Sequence, residues 1–135
     1  MMNKLTIGEV ASQAGVHVET LRYYERRGIV DKPPRSGANY RLYPSDTIQR
    51  VRFVKRAQEL GFSLTEIADL LSLRMNPEAS RADVKTRAEA KLTDIEAKIQ
   101  TLQRMKKALR KITATCDGTG STTDCPILNA LEGIS

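Results

Sequence analysis

Two cysteines near the end of the 135-residue chain are the residues best suited to chemistry. Cys116 and Cys125 are nine positions apart, and the loop between them consists of small polar residues and two glycines. Such a loop lets both sulfurs converge on one ion, and thiolates select soft metals such as Cu(I), Ag(I), Au(I), Hg(II), Zn(II) and Cd(II). The same two cysteines could instead form a disulfide switch that senses oxidants. They could also be two buried thiols without a chemical role. On the residues alone, all three interpretations stay open.

Positive charge is concentrated in one segment of the chain. The net charge is +6, and the stretch from Tyr23 to Arg56 has the same excess. It contains three acidic residues (Glu25, Asp31 and Asp46) and nine basic ones: Arg26, Arg27, Lys32, Arg35, Arg41, Arg50, Arg52, Lys55 and Arg56. A basic segment of this kind is the electrostatic footprint expected where phosphates are neutralised. We therefore expect a nucleic acid as partner.

Two short helices lie at the start of this region. The spacing of Thr6 and Glu9 predicts a capping box at the first helix, which Gly15 ends. A second helix is predicted over residues 17–27, before another glycine. Two short helices joined by a tight glycine turn indicate a helix-turn-helix, with a plain α-hairpin as the alternative.

The predicted DNA contacts lie on the second helix and in the segments after it. Arg22 leads the set, because arginine is the residue type best suited to a guanine edge or a phosphate in the major groove. Prolines and a glycine then exclude helix, and the alternation over residues 40–43 predicts a short strand in a hairpin-like wing, with Arg41 near phosphates. The predicted DNA-binding residues are His17, Val18, Glu19, Arg22, Tyr23, Arg41, Tyr43 and Lys55.

A long amphipathic helix is predicted from Arg81 to Cys116. Its apolar residues recur at spacings of three and four positions: Ala88, Leu92, Ile95, Ile99, Leu102, Met105, Leu109, Ile112 and Cys116. From Ala88 onward such a helix spans about 42 Å, which outruns any core that so short a chain can build. The apolar residues therefore predict a coiled coil between two subunits. Packing within its own domain is the alternative.

The remaining composition indicates an all-α protein. The chain has no Trp, two Phe and four Tyr, so its core must come from aliphatic side chains of packed helices. Two further helices are predicted, one over residues 45–60 and one that begins at a capping box of Ser63 and Glu66. Pro77 marks a linker into the long helix.

Several function classes are disfavoured. No apolar run of 18 residues and no charged leader are present, so we expect neither a membrane span nor a signal peptide. We therefore expect a cytoplasmic protein. A single histidine, His17, and the lack of a glycine-rich phosphate loop argue against an enzyme.

Four motifs together resemble the MerR family of transcriptional regulators. They are TIGEVA at residues 6–11, ETLRYYERRG at 19–28, NYRLY at 39–43 and AQELGFSLTEI at 57–67. With the long helix and the cysteine pair, the resemblance covers essentially the whole chain.

The resemblance implies a domain organisation and a mechanism. It places a winged helix-turn-helix DNA-binding domain at residues 1–75, a linker and antiparallel coiled-coil dimerisation helix at 76–116, and a metal-binding loop and tail at 117–135. It also implies a homodimer that sits with RNA polymerase at a promoter with an overlong spacer. On binding its effector, such a dimer distorts the DNA and activates a metal resistance operon.

Metal sensing is also implied by this resemblance. Cys116, Cys125 and the following residues 126–128 stand where metal-sensing members have them, and residues 82–92 resemble mercury- and zinc-sensing members most. Those members carry a third cysteine at the head of the long helix, donated across the dimer, where this chain has Arg81. Copper-type sensors place serine there.

The missing third thiolate leaves two metals as expectations. Two thiolates alone favour a linear ion, with one ion held by each Cys116 and Cys125 loop. Hg(II) is the first expectation, and Cu(I), Ag(I) or Au(I) is the alternative. Two thiolates around Cu(I) keep a net negative charge, which Arg81 can offset.

Overall fold

The described chain consists mainly of helices. The structure is a computed structural model and describes residues 4–35, 37 and 40–133. In chain order the elements are β1 (Lys4–Leu5), α1 (Ile7–Ala14), α2 (Val18–Arg26), β2 (Tyr43–Pro44), α3 (Asp46–Glu59), α4 (Leu64–Met75), α5 (Arg81–Thr113), a 3-10 turn (Thr122–Asp124) and α6 (Pro126–Leu131). They form two compact units, one that extends to Lys91 and one that begins at Leu92.

Both predicted capping boxes are formed. At α1 the Thr6 hydroxyl accepts from the Glu9 N–H at 3.2 Å, and the Glu9 carboxylate accepts from the Thr6 N–H at 2.9 Å. Ser63 and Glu66 make the same reciprocal bonds at the start of α4. Gly15 ends α1 in the left-handed region at φ 73°, where a residue without a Cβ is favoured. The helix-turn-helix predicted from these signals is confirmed.

The core of the first unit is built from the inner faces of α1 to α4. Its fully buried aliphatic side chains are Val10, Leu21, Val51, Val54 and Ile67. Two tyrosines, Tyr24 and Tyr43, are also buried in this core, and the hydroxyl of each is hydrogen-bonded. The Tyr24 hydroxyl donates to Gln58 Oε1 at 2.6 Å. This core fixes α2 against α1 and α3, so that its outer face is presented to solvent.

A small sheet corrects the all-α expectation. Lys4–Leu5 pairs antiparallel with Tyr43–Pro44, and Arg35 and Arg41 form one further bridge. The strand signal at Tyr43 was therefore right, but its main partner is the N-terminal segment. Strands of two residues are too short to show alternation in the sequence. The expected turn of the wing at Ser36, Ala38 and Asn39 lies outside the described residues.

The second unit differs from expectation at its end. Helix α5 ends at Thr113, three residues before Cys116. The Thr113 and Thr115 hydroxyls donate to backbone carbonyls at 3.1 and 2.6 Å, which offers the chain an alternative to continued helix. Helix α6 was not predicted, although Pro126 stands at its first turn, where proline is favoured. No described helix is long and apolar enough to cross a membrane.

Candidate DNA interface and metal site

A basic cleft of about 560 Å³ lies beside the second helix of the helix-turn-helix. One acidic side chain, Glu25, lines it, together with Thr6, Ile7, Tyr40 and Tyr43. Its five cationic lining residues are Arg22, Arg26, Lys32, Arg35 and Arg41. This excess of positive charge in a concave surface suits a phosphate group.

Arg22 is placed as a reading residue requires. Its side chain is 55% exposed, and its guanidinium lies 3.9 Å from the carboxylate of Glu19, which is more exposed still. Exposed pairs of this kind contribute little, so the guanidinium can leave Glu19 for a nucleic acid at small cost. His17 is also exposed at the start of α2, and Val18 is half-buried.

Tyr23 organises two cations on the outer face of α2. The guanidinium carbons of Arg26 and Arg27 lie 5.8 and 5.9 Å from the centroid of its ring. Arg27 Nη1 also donates to the Tyr23 hydroxyl at 3.2 Å. Cation–π contacts and this hydrogen bond restrict the rotamers of both arginines, so positive charge stays on this face.

Tyr43 borders the basic cleft but is almost completely buried. Its side chain is 1% exposed, and its hydroxyl donates to Glu25 Oε2 at 2.8 Å. Burial, and then the bond to Glu25, raise the pKa of Tyr43 above its ordinary range, so it stays a neutral donor. This burial argues against the direct contact predicted for Tyr43, and it gives the ring a supporting role between β2 and α2.

Arg41 and Lys55 both donate to backbone carbonyls. Arg41 Nη1 donates to the Pro33 carbonyl and still lines the basic cleft. Lys55 Nζ donates to the Gly15 carbonyl at 2.8 Å, at the turn between α1 and α2. Each cation therefore helps to hold the helix-turn-helix or the wing. Their contact with DNA stays a prediction.

Three residues of the basic cleft were not among the DNA-binding residues predicted from the sequence. Arg26, Lys32 and Arg35 were counted in the basic segment but were not singled out. Only folding brings the loop after α2 back beside that helix. The density of charge was the signal available in the sequence.

The two cysteines of the predicted metal site are free thiols and half-buried. The Gly118 N–H donates to Cys116 Sγ at 3.3 Å. Cys125 comes directly before α6. Within the described residues no group of three or more His, Cys, Asp or Glu is arranged around a metal position. The donor set that this chain offers is thus a pair of soft thiols, which fits a soft ion of low coordination number.

Ser80, the residue before Arg81, forms the N-terminal cap of α5. Ser80 Oγ accepts from the Asp83 N–H at 3.3 Å, and Asp83 Oδ2 accepts from the Ser80 N–H at 2.9 Å. The Ser80 N–H bond, and then the hydroxyl, lower the pKa of Asp83. Ser80 therefore caps α5, and Arg81 is its exposed first residue.

Two family profiles match the chain. The one described as "MerR HTH family regulatory protein" matches residues 5–73, and the one described as "MerR, DNA binding" matches residues 48–112. Among curated proteins, a mercuric resistance operon regulatory protein from Bacillus cereus is 40% identical over 95% of this chain and 97% of its own length. The regulator ZntR from Escherichia coli K12 is 39% identical over 93% and 91%.

Two solved structures are similar over nearly the whole chain. PbrR691 from Ralstonia metallidurans CH34 in complex with lead(II) has a TM-score of 0.83 at 33% identity, and covers 94% of this chain and 98% of its own. MerR from Bacillus megaterium MB1 in complex with mercury(II) has a TM-score of 0.71 at 37% identity, with coverage of 95% and 99%.

Proposed function

The chain belongs to the MerR family of DNA-binding transcriptional regulators, and we propose that it activates a metal resistance operon in response to Hg(II). The observation that carries this proposal is the pair of free thiols, Cys116 and Cys125, at the two ends of a short polar loop. It occurs in a chain that is similar over nearly its full length to a mercuric resistance regulator. Metal occupancy would act on a promoter-bound homodimer beside RNA polymerase, by distortion of the DNA.

The DNA-binding surface of this proposal is the outer face of α2 with the basic cleft. A recognition helix of this kind enters the major groove, where Arg22 can reach a guanine edge. The cations of the cleft can neutralise phosphates beside the groove, with Arg41 on the wing. Contacts to phosphate set the position of the protein, and contacts to bases set its sequence preference.

A second copy of the chain is the proposed partner of α5. The apolar stripe of α5 (Leu92, Ile95, Ile99, Leu102, Met105, Leu109 and Ile112) has five members that are about half exposed or more. Charge along the helix supports an antiparallel pair. Residues 97–116 contain six basic and no acidic residues, whereas residues 83–96 contain four acidic and three basic ones. An antiparallel arrangement sets the basic half beside a nearly neutral half of the other copy, and a parallel one opposes basic to basic.

The thiol pair is suited to a metal ion with linear two-coordinate geometry, and Hg(II) bound by both thiolates needs no additional charged residue for neutrality. Two thiolates neutralise a divalent ion completely. A Cu(I), Ag(I) or Au(I) sensor is the second candidate, and one observation favours it. Arg81 occupies the first position of α5, so this chain supplies a cation where the resemblance to mercury-type sensors implies a thiolate. The linear complex of a monovalent ion would keep one negative charge.

The test is a metal titration of the reduced protein against a competing thiol, with operator binding and transcription measured in parallel. We expect one Hg(II) for each cysteine pair. Cys116→Ser and Cys125→Ser should bind the operator with unchanged affinity but lose induction, whereas Thr119→Ser in the same loop should keep it. If neither cysteine variant loses induction, the metal-sensor proposal fails. Induction by oxidation without bound metal would identify a redox sensor instead.

Arg81→Cys tests the ligand count. A third thiolate should strengthen the response to Hg(II), Cd(II) or Zn(II) relative to Cu(I), because these ions accept three or four thiolates. If Arg81→Cys changes nothing and the unaltered protein responds to Hg(II) in excess thiol, an additional ligand completes the site.

A further inference from the structure

Lys91 occupies an unusual place in the long helix. Among the residues that the structure describes, it is the only charged one that is buried, with 8% of its surface exposed. It is also the last residue of the first compact unit, because the second begins at Leu92. The long helix therefore leaves the DNA-binding unit directly after a buried cation.

The Lys91 ammonium binds at the N-terminus of α4. Its Nζ lies 2.9 Å from Glu66 Oε1 and 5.6 Å from the centroid of the Phe62 ring. The same carboxylate oxygen accepts from the Ser63 N–H at 2.7 Å, in the capping box of α4. The Ser63 N–H, and then Lys91, lower the pKa of Glu66 to about 2, so the carboxylate stays charged. One oxygen atom thus joins the cap of α4 to the cation of α5.

A second link between the two helices is of a different kind. One turn earlier, Arg87 Nε lies 2.9 Å from Asp69 Oδ2, but both side chains are close to half exposed. A solvated pair adapts easily to small shifts. In the Lys91–Glu66 pair the carboxylate is exposed to a similar degree, at 46%, but the ammonium side chain is only 9% exposed, so loss of the carboxylate leaves a largely desolvated cation with weaker compensation. An apolar residue would hold α5 on α4 at less desolvation cost, so the pair points to a requirement for one defined arrangement.

We propose, resting on the proposed function, that Lys91 is the positioning residue through which a change in the dimerisation helix reaches the DNA-binding unit. When α5 shifts, the ammonium must carry the Glu66 carboxylate with it. Because that carboxylate also caps α4, the first turn of α4 moves as well. Helix α4 packs against α3, whose Lys55 and Arg52 donate to the backbone of the helix-turn-helix. A shift at Lys91 is therefore delivered to the DNA-binding helices.

The experiment compares three full-length variants. Lys91→Met keeps a flexible apolar stem but removes the charge, Lys91→Arg restores a cation, and Lys85→Met removes an exposed charge from the same helix. For each protein, Hg(II) affinity is measured by thiol competition, operator affinity by fluorescence anisotropy, and transcription with and without Hg(II). We expect Lys91→Met to bind both ligands normally and to lose about tenfold in induction ratio, within the usual range of coupling between sites. Lys91→Arg and Lys85→Met should retain induction.

Glu66→Gln is the second variant, since glutamine preserves the capping box while it removes the charge that Lys91 needs. It should also lose induction, and it decides the matter if Lys91→Met does not fold. Normal induction in Lys91→Met overturns the inference, as does a parallel loss of operator affinity, which would make the pair merely structural. If the unaltered protein responds to neither Hg(II) nor Cu(I), the proposed function fails and the inference falls with it.

Discussion

The proposed dimer is most directly tested at Ile99, in the middle of the apolar stripe. Ile99 is 48% exposed in the single chain. A second helix packed on the stripe would cover this remaining surface. Ile99→Lys places an ammonium group where two chains should meet, and a buried charge without a partner is unfavourable.

The magnitude follows from the exposed fraction. Full burial of an isoleucine side chain contributes about 1.5–3 kcal/mol, so the half still exposed contributes about 1 kcal/mol. The site occurs in both copies of a symmetric dimer, which doubles the effect. Ile99→Ala should therefore weaken the dimer by about 2 kcal/mol, or about 30-fold in Kd. Ile99→Lys should weaken it further, because the charge must be desolvated or must displace its neighbours.

Sedimentation equilibrium over a range of protein concentrations measures this Kd. Gln100→Lys is the matched control, because it adds the same charge at the next position, which lies off the stripe. We expect Ile99→Lys to be a folded monomer at concentrations where Gln100→Lys is a dimer. A tight Ile99→Lys dimer, or equal dissociation of both variants, would place the interface elsewhere on the chain.

Two further predictions concern DNA binding and acid stability. Arg22→Ala should cost about 1–3 kcal/mol on the operator if Arg22 reads a base, whereas Arg41→Ala should weaken all sequences alike and lower the salt slope by about 1. Fluorescence anisotropy on operator and unrelated DNA separates the two effects, and unchanged affinity in both variants would mean that the reading surface is misplaced. The pKa of Glu66 is lowered from an ordinary value of about 4.5 to about 2 in the folded chain. Its contribution to stability is therefore complete above the ordinary value and is lost as pH falls towards the folded value. The melting temperature should fall between about pH 4.5 and 2, less steeply in Glu66→Gln, and equal slopes would contradict this assignment.

Local signals in the sequence predicted the helices well. The capping boxes at Thr6 and Ser63 involve partners three residues away, so the chain must only form one helical turn to satisfy them. Gly15 is similarly local, because the positive φ that ends α1 is a property of one residue. These features set the bounds of the first helices before any tertiary contact is considered.

The features that sequence reasoning missed depend on distant segments. Tyr43 was assigned to the DNA surface, but it is buried because the N-terminal strand and α2 meet around it. Lys91 lies in a helix rich in charge, where each lysine is expected to face solvent. Its burial follows only from the approach of Phe62 and Glu66, which the spacing of residues within α5 does not encode.

The charge of the metal site links the donor set to the choice of ion. Ser80 caps α5, which disfavours the one-residue shift that would place it as a copper-type serine, and Arg81 stands where the resemblance to mercury-type sensors implies a third cysteine. With two thiolates, Hg(II) gives a neutral complex that can be covered by apolar groups without a counter-ion. Cu(I) leaves a negative charge, whose burial is unfavourable unless a cation is close. Hg(II) thus needs nothing from Arg81, whereas a Cu(I) site depends on it. For this reason the similarity to mercury-type relatives and the two-thiol donor set are compatible, even though the third thiolate is missing.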